Sequence, residues 1–140
     1  MPATDEAITL AVAAADAADD KKATDLVLLE VADVLALVDV FLLVTAGSDR
    51  QLKAVADAIE ERLRGMGRNP SRREGAPPSG WVLLDFGDLV CHLFSTEQRD
   101  FYTLERLWAD VPRRDALTGA PLAAAASASG ADTSPRTAGA

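Results

Sequence analysis

The sequence predicts one α/β domain, built on a mixed β-sheet of about five strands with flanking helices. Three observations predict it. Helix and strand signals alternate along the body of the chain. From Ser48 onward, apolar residues recur at steps of three and four. From Trp81 to Phe94, two apolar runs flank the turn dipeptide Gly87-Asp88. A length of 140 residues fits a single domain of ordinary size.

Each element has its own warrant. Thr4 caps a first helix reaching about Ala18, with Ile8, Ala11, Val12 and Ala15 on one face. Asp25 to Val31 is a short apolar run suited to a buried strand, and Val40 to Thr45 is a second one, after a turn near 32–39. Ser48 and Gln51 have the capping-box spacing. Leu52, Val55, Ala56, Ile59 and Leu63 form the stripe of the next helix, which Gly65 and Gly67 end. Strand, helix and a later strand suggest a βαβ element. Arg68 to Arg73 reads as a short polar strand, followed by a loop holding Gly75, Pro77, Pro78 and Gly80. Trp81 to Phe94 is a hairpin. Ser95 and Gln98 repeat the capping-box spacing before a last helix with Phe101, Leu104 and Trp108, and Pro112 stands just beyond it.

The body is expected to span residues 1–116. Residues 117–140 contain nine alanines among Gly, Ser, Thr and Pro, and read as a disordered tail with too little large apolar surface to offset its ordering entropy. No stretch approaches the roughly 20 apolar residues of a membrane span. The first 20 residues carry acids and no base, unlike a secretory leader. Cys91 is the only cysteine, so no intrachain disulfide is possible and the expected compartment is the cytoplasm. The net charge of -8 repels phosphate backbones and favours a basic protein as partner, although an acidic surface ordinarily serves solubility alone.

Catalytic chemistry is poorly supplied. Cys91 and His92 are the only residues of their kinds, and neighbours on a strand point to opposite faces, so they form no dyad. The expected role of Cys91 is a buried structural one. A multi-ligand Cys/His metal site is excluded by count. No phosphate-binding loop is present, and Asp85-Phe86-Gly87 lacks the companion motifs of a kinase. No catalytic group, cofactor or metal is therefore expected.

The hairpin says more. A two-residue turn pairs Trp81 with Phe94, Val82 with Leu93, Leu83 with His92, Leu84 with Cys91 and Asp85 with Val90. Val82, Leu84, Phe86, Leu89, Cys91 and Leu93 then share a wholly apolar face. Trp81, Leu83, Asp85, Val90, His92 and Phe94 share the other. That second face suits a protein-binding patch, or else forms an imperfect second core under a helix. Arg62, Arg64, Arg68, Arg72 and Arg73 are the one basic concentration. Such a run can touch RNA phosphates, but more often it is solvated or pairs with local acids such as Glu60, Glu61 and Glu74.

The chain is similar to the ribosomal silencing factors, also called Iojap-type proteins, from about Thr4 to Trp108. The matching stretches are Lys21-Lys22-Ala23 with Asp25; Asp39 and Phe41; Ser48, Arg50-Gln51 and Lys53-Ala54; Arg73-Glu74-Gly75; Trp81 to Asp85; Gly87 to Phe94; Phe101-Tyr102; and Leu104 to Trp108. Departures are Ala46 for the usual Gly, Gly47 for a small polar residue, Val40 for an aromatic and Thr103 for an acid. None touches the hairpin.

The resemblance implies a nucleotidyltransferase-like topology and a function without catalysis. Such factors bind the large ribosomal subunit through its fourteenth protein, a basic protein at the subunit interface. They sterically block subunit joining and so repress translation when nutrients are scarce. It also implies a homodimer off the ribosome, and leaves room for a minor contact to ribosomal RNA. Partner binding is then expected at Glu74, Trp81, Leu83, Asp85, Asp88, His92 and Phe94. Trp81 would be the aromatic anchor, and the three acids would meet basic groups. His92, diagonal to Asp85, would hold its carboxylate. Asp88 has a competing role in the turn. The alternative is a metal-dependent nucleotidyltransferase, which would use Gly47-Ser48. It needs carboxylates on the following strand, where Arg68 to Arg72 supplies none.

Overall fold

A computed structural model describes residues 3–102 and 110–122 of the chain. In chain order they form α1 (Asp5–Asp20), β1 (Thr24–Glu30), β2 (Val40–Ala46), α2 (Asp49–Arg64), β3 (Arg72–Ala76), a 3-10 turn (Pro77–Ser79), β4 (Trp81–Asp85), β5 (Leu89–Ser95), α3 (Thr96–Tyr102) and β6 (Arg113–Arg114). The six strands make one mixed sheet in the order β3-β4-β5-β2-β1-β6. β2 and β5 run parallel, with α2 in the connection between them, and the other pairs are antiparallel. This is the α/β class expected, with one strand more. Among the described residues, no helix is long and apolar enough to cross a membrane. Leu104 and Trp108 of the last predicted helix lie outside the described residues.

Helix α1 begins where its cap predicts, with the Thr4 hydroxyl accepting from the Ala7 N–H at 3.1 Å. Its buried face is turned from the expected stripe. Ala7, Leu10, Ala11, Ala14, Ala15, Ala17 and Ala18 are buried, whereas Ile8 and Val12 sit at the rim. An alanine-rich helix has a weak apolar signal and can lay its smallest side against its neighbours, which is what allows close packing here. The rim pair is covered by Gly119, whose position leaves only 3.0 Å between an added Cβ and Val12 Cγ2.

Helix α2 carries the predicted stripe of Leu52, Val55, Ala56, Ile59 and Leu63, all buried. Ser48 Oγ accepts from the Gln51 N–H at 3.1 Å. The Gln51 side chain accepts from Gly47 N–H and donates to the carbonyls of Lys21 and Lys22, tying two loops together. The helix closes through Gly67 at φ 82°, with Gly67 N–H on Arg64 O and Arg68 N–H on Leu63 O. That is the glycine-closed C-terminal motif. It holds Arg68 to the helix end, so the next strand starts later than predicted. β3 is Arg72–Ala76 rather than Arg68 to Arg73, and Gly75 lies in the strand, not in the loop.

Residues 117–122, which composition assigns to the tail, are paired. Leu122 N–H donates to Arg113 O, Asp115 N–H to Ala120 O, and the Arg114 guanidinium to Gly119 O. The rest of the proposed tail lies outside the described residues. A chain ended at Ala116 is expected to be at least about 2 kcal/mol less stable than one ended at Leu122, since the hydrogen bonds joining 113–115 to 117–122 and the cover over Ile8 and Val12 are lost. Urea unfolding of the two truncations checks this; equal midpoints would refute it.

The sheet has two apolar sides. The main core lies between the sheet and α1 and α2, with Leu28, Leu42, Val44, Leu84, Cys91 and Leu93 among its strand residues. A smaller core on the far side holds Leu29, Val31, Phe41, Leu43 and Val90, with Leu35 and Val38 of the β1–β2 loop and Val111 packed against it.

Candidate protein-binding face

The hairpin has the register its sequence predicts. Trp81 stands opposite Phe94, Leu83 opposite His92 and Asp85 opposite Val90. β3 and β2 extend each pair into a row on the far side of the sheet. One row runs Ala76–Trp81–Phe94–Thr45, the next Glu74–Leu83–His92–Leu43, the third Arg72–Asp85–Val90–Phe41. Strand alternation therefore brings Glu74, Trp81, Leu83, Asp85, His92 and Phe94 to one face.

Burial divides that face. On the β5 side Phe94 is only 2% exposed and Val90 6%, so this half is core. On the β4 and β3 side Trp81, Leu83, Asp85 and Glu74 are half-buried, which leaves aromatic, aliphatic and acidic groups together at the surface. The second-core reading describes the β5 half, whereas the β4 and β3 half stays partly open to solvent. Phe94 thus supports the face from beneath rather than presenting itself to a partner. The helix side of the same strands is the main core. Cys91 is fully buried there, and burial pushes its thiol pKa far up, so it is no nucleophile.

The Trp81 ring is fixed by a glycine. Gly75 has φ 82°, and a Cβ there would lie 2.3 Å from Trp81 O and 2.8 Å from Trp81 Cε3. The indole thus lies across a backbone position without a side chain.

Asp85 is held by its own turn and not by His92. Its Oδ1 accepts from Gly87 N–H at 2.8 Å and its Oδ2 lies 3.4 Å from the Arg72 guanidinium. His92 instead packs edge-on against Phe41, with centroids 4.8 Å apart, and parallel to Phe94 at 6.2 Å. Its Nε2 is buried and has no hydrogen-bond partner among the described residues. Burial lowers its pKa to about 4, so the ring is neutral at pH 7. The expected His92–Asp85 contact fails because the cross-strand neighbours of His92 are apolar, and the ring joins the small core with them.

Asp88 is not brought to the face. Its carboxylate pairs with Arg68 at 2.7 Å, pushing the guanidinium pKa up, and Arg68 also reaches Phe86 O and Glu6 of α1. Its carbonyl accepts from the N–H groups of Asp39 and Val40. Asp88 therefore locks the hairpin turn to the start of β2 and to the helix side.

Four of the five arginines of the basic run are paired internally. Arg62 meets Asp16 and Asp20, Arg73 meets Glu60 and Asp57, and Arg72 meets Glu74 and Asp85. Arg72 is the face residue that sequence reasoning missed. Its signal was parity: Arg72 and Glu74 fall on one side of β3, with Arg72 opposite Asp85, once the β3 register is known. At the Gly47-Ser48 turn the hydroxyl is used as a helix cap. No group of three or more His, Cys, Asp or Glu able to hold a metal occurs among the described residues.

Comparison with known proteins agrees with this architecture. The family model "Ribosomal silencing factor during starvation" matches residues 4–139. The ribosomal silencing factor of Bacillus subtilis is 39% identical over 102 residues, covering 73% of this chain and 86% of that protein. A chloroplastic Iojap protein of Zea mays is 36% identical over 108 residues, covering 75% of this chain and 46% of its own. Among solved structures, a Chromobacterium violaceum protein superposes with a TM-score of 0.70 at 31% identity, over 73% of this chain and 85% of its own. A Bacillus halodurans protein superposes with 0.64 at 35% identity, over 75% and 95%. The chain belongs to the ribosomal silencing factor family.

Proposed function

We propose that the protein binds the large ribosomal subunit through the basic fourteenth protein on its joining face, and that the bound factor sterically blocks the small subunit and represses translation. The observation that supports this reading is the half-open face of Trp81, Leu83, Glu74 and Asp85, carried on a rigid sheet. An aromatic anchor that shares its face with two acids complements a basic protein surface. The overall charge of -8 favours the same kind of partner. The reading includes a cytoplasmic site of action, a homodimer off the ribosome and a minor contact to ribosomal RNA. It needs no catalytic group, and no observation on the described residues favours a nucleotidyltransferase.

Subunit joining followed by light scattering tests it. Saturating protein is expected to suppress joining, after co-sedimentation with the large subunit and not the small one. Trp81→Ala and Asp85→Ala are each expected to weaken large-subunit binding by about 2 kcal/mol, roughly thirtyfold, with the fold retained by circular dichroism. Cys91→Ala, in the main core, is expected to cost stability and leave affinity intact. Unimpeded joining, or wild-type affinity in both face variants, would overturn the reading.

A further inference from the structure

We infer that Arg72 is an internal counter-ion, occupying the two carboxylates that the partner's basic group must engage and so setting the affinity of the face; this rests on the reading of that face as the contact with a basic partner. The alternation of β3 puts Arg72 on the same side as Glu74, and the register puts it opposite Asp85. One guanidinium spans both acids. Its Nε lies 3.0 Å from Glu74 Oε2, and its other nitrogen 3.4 Å from Asp85 Oδ2. The neighbouring Arg73 goes to the opposite side and pairs with Glu60 and Asp57 of α2, so it does not compete at the face.

The Arg72 side chain is 60% exposed, against 23% for Asp85. An ion pair that open to water is weak, screened by salt and readily exchanged. The better-buried carboxylate stays fixed, because Gly87 N–H holds its other oxygen at 2.8 Å. A basic group arriving at the Asp85 end of the face therefore meets a placed acid whose present counter-ion can swing into solvent. Every binding event includes that displacement, so the internal pair subtracts from affinity. Without Arg72, two unneutralised acids would attract a basic surface more strongly, most of all at low salt.

Large-subunit binding at low and high salt, measured on the full chain, tests the inference. Arg72→Gln is expected to bind about two- to fivefold tighter than wild type at low salt, with the gain fading as salt rises. Arg73→Gln is expected to bind as wild type does. Asp85→Asn is expected to bind more weakly, and in that background Arg72→Gln is expected to give a smaller gain. Melting curves of each variant confirm that the fold persists. If Asp85→Asn weakens binding and Arg72→Gln weakens it too or leaves it unchanged, Arg72 contacts the partner or is a bystander, and the inference alone falls. If Asp85→Asn binds normally, the face itself is misassigned and the inference falls with it.

Discussion

Gly75→Ala is expected to lower the melting temperature by roughly 10 °C or more, a loss of about 2–5 kcal/mol. Two effects add at this position. The backbone stands at φ 82°, where a side chain of L configuration costs about 1–2 kcal/mol. The added Cβ would also sit 2.3 Å from Trp81 O, a backbone atom in the paired strand, and 2.8 Å from the indole ring. A flexible side chain could turn away, but a β4 carbonyl cannot move without opening the β3–β4 ladder. The matched control is Gly67→Ala. Gly67 has the same φ of 82° with nothing within 4 Å of the added carbon, so it reports backbone strain alone. Thermal melts of the two variants separate the contributions. The difference between them is the cost of displacing Trp81, and Gly75→Ala is expected to weaken large-subunit binding as well. Equal melting temperatures for the two variants would show that the ring is not seated on Gly75.

What the sequence revealed depended on how strongly each element contrasts its two sides. The β4–β5 hairpin was legible to the residue, because strict alternation and the Gly87-Asp88 turn together leave one register. Helix α2 was legible because Leu52, Val55, Ile59 and Leu63 contrast with charged neighbours. Helix α1 was legible in extent but not in facing, since alanine hardly distinguishes a buried side from an exposed one. β3 is a polar edge strand without alternation. Its position follows from how α2 closes at Gly67 and from what Trp81 requires of Gly75, and both are tertiary facts. The division of the candidate face was hidden for a similar reason. The cover over Phe41, Leu43 and Val90 includes Leu35, Val38 and Val111, which pattern alone does not assign to that side. Placing β3 too early also hid Arg72 as the partner of Glu74 and Asp85. The pairing of the hairpin residues was therefore predictable, and their exposure was not.

Acidification from pH 7 to 4.5 is expected to remove about 2 kcal/mol of stability through His92, out of about 3 kcal/mol at full protonation. In the folded chain burial lowers the pKa of this ring to about 4, from the ordinary 6.5. The unfolded chain thus takes up its proton first as pH falls. Stability from the neutral ring is complete above pH 6.5 and drains away between 6.5 and about 4. The carboxylates whose pKa is lowered act elsewhere. Asp57, hydrogen-bonded by Lys53 and Arg73, and Asp115, capped by backbone N–H groups, lie below their usual 3.8 and lose their contributions only in stronger acid. Above pH 4.5 these two carboxylates keep their contributions while that of His92 is lost. Protonating the ring would place a charge between Phe41 and Phe94 with no acceptor for Nε2 among the described residues, so the small far-side core is expected to be acid-sensitive. His92→Phe keeps an aromatic ring between Phe41 and Phe94 and removes the titration. Urea unfolding at pH 7 and pH 4.5 is expected to show a loss about 2 kcal/mol smaller in the variant than in the wild type. Equal losses in the two proteins would mean that the ring titrates normally and that this half of the face is open to water.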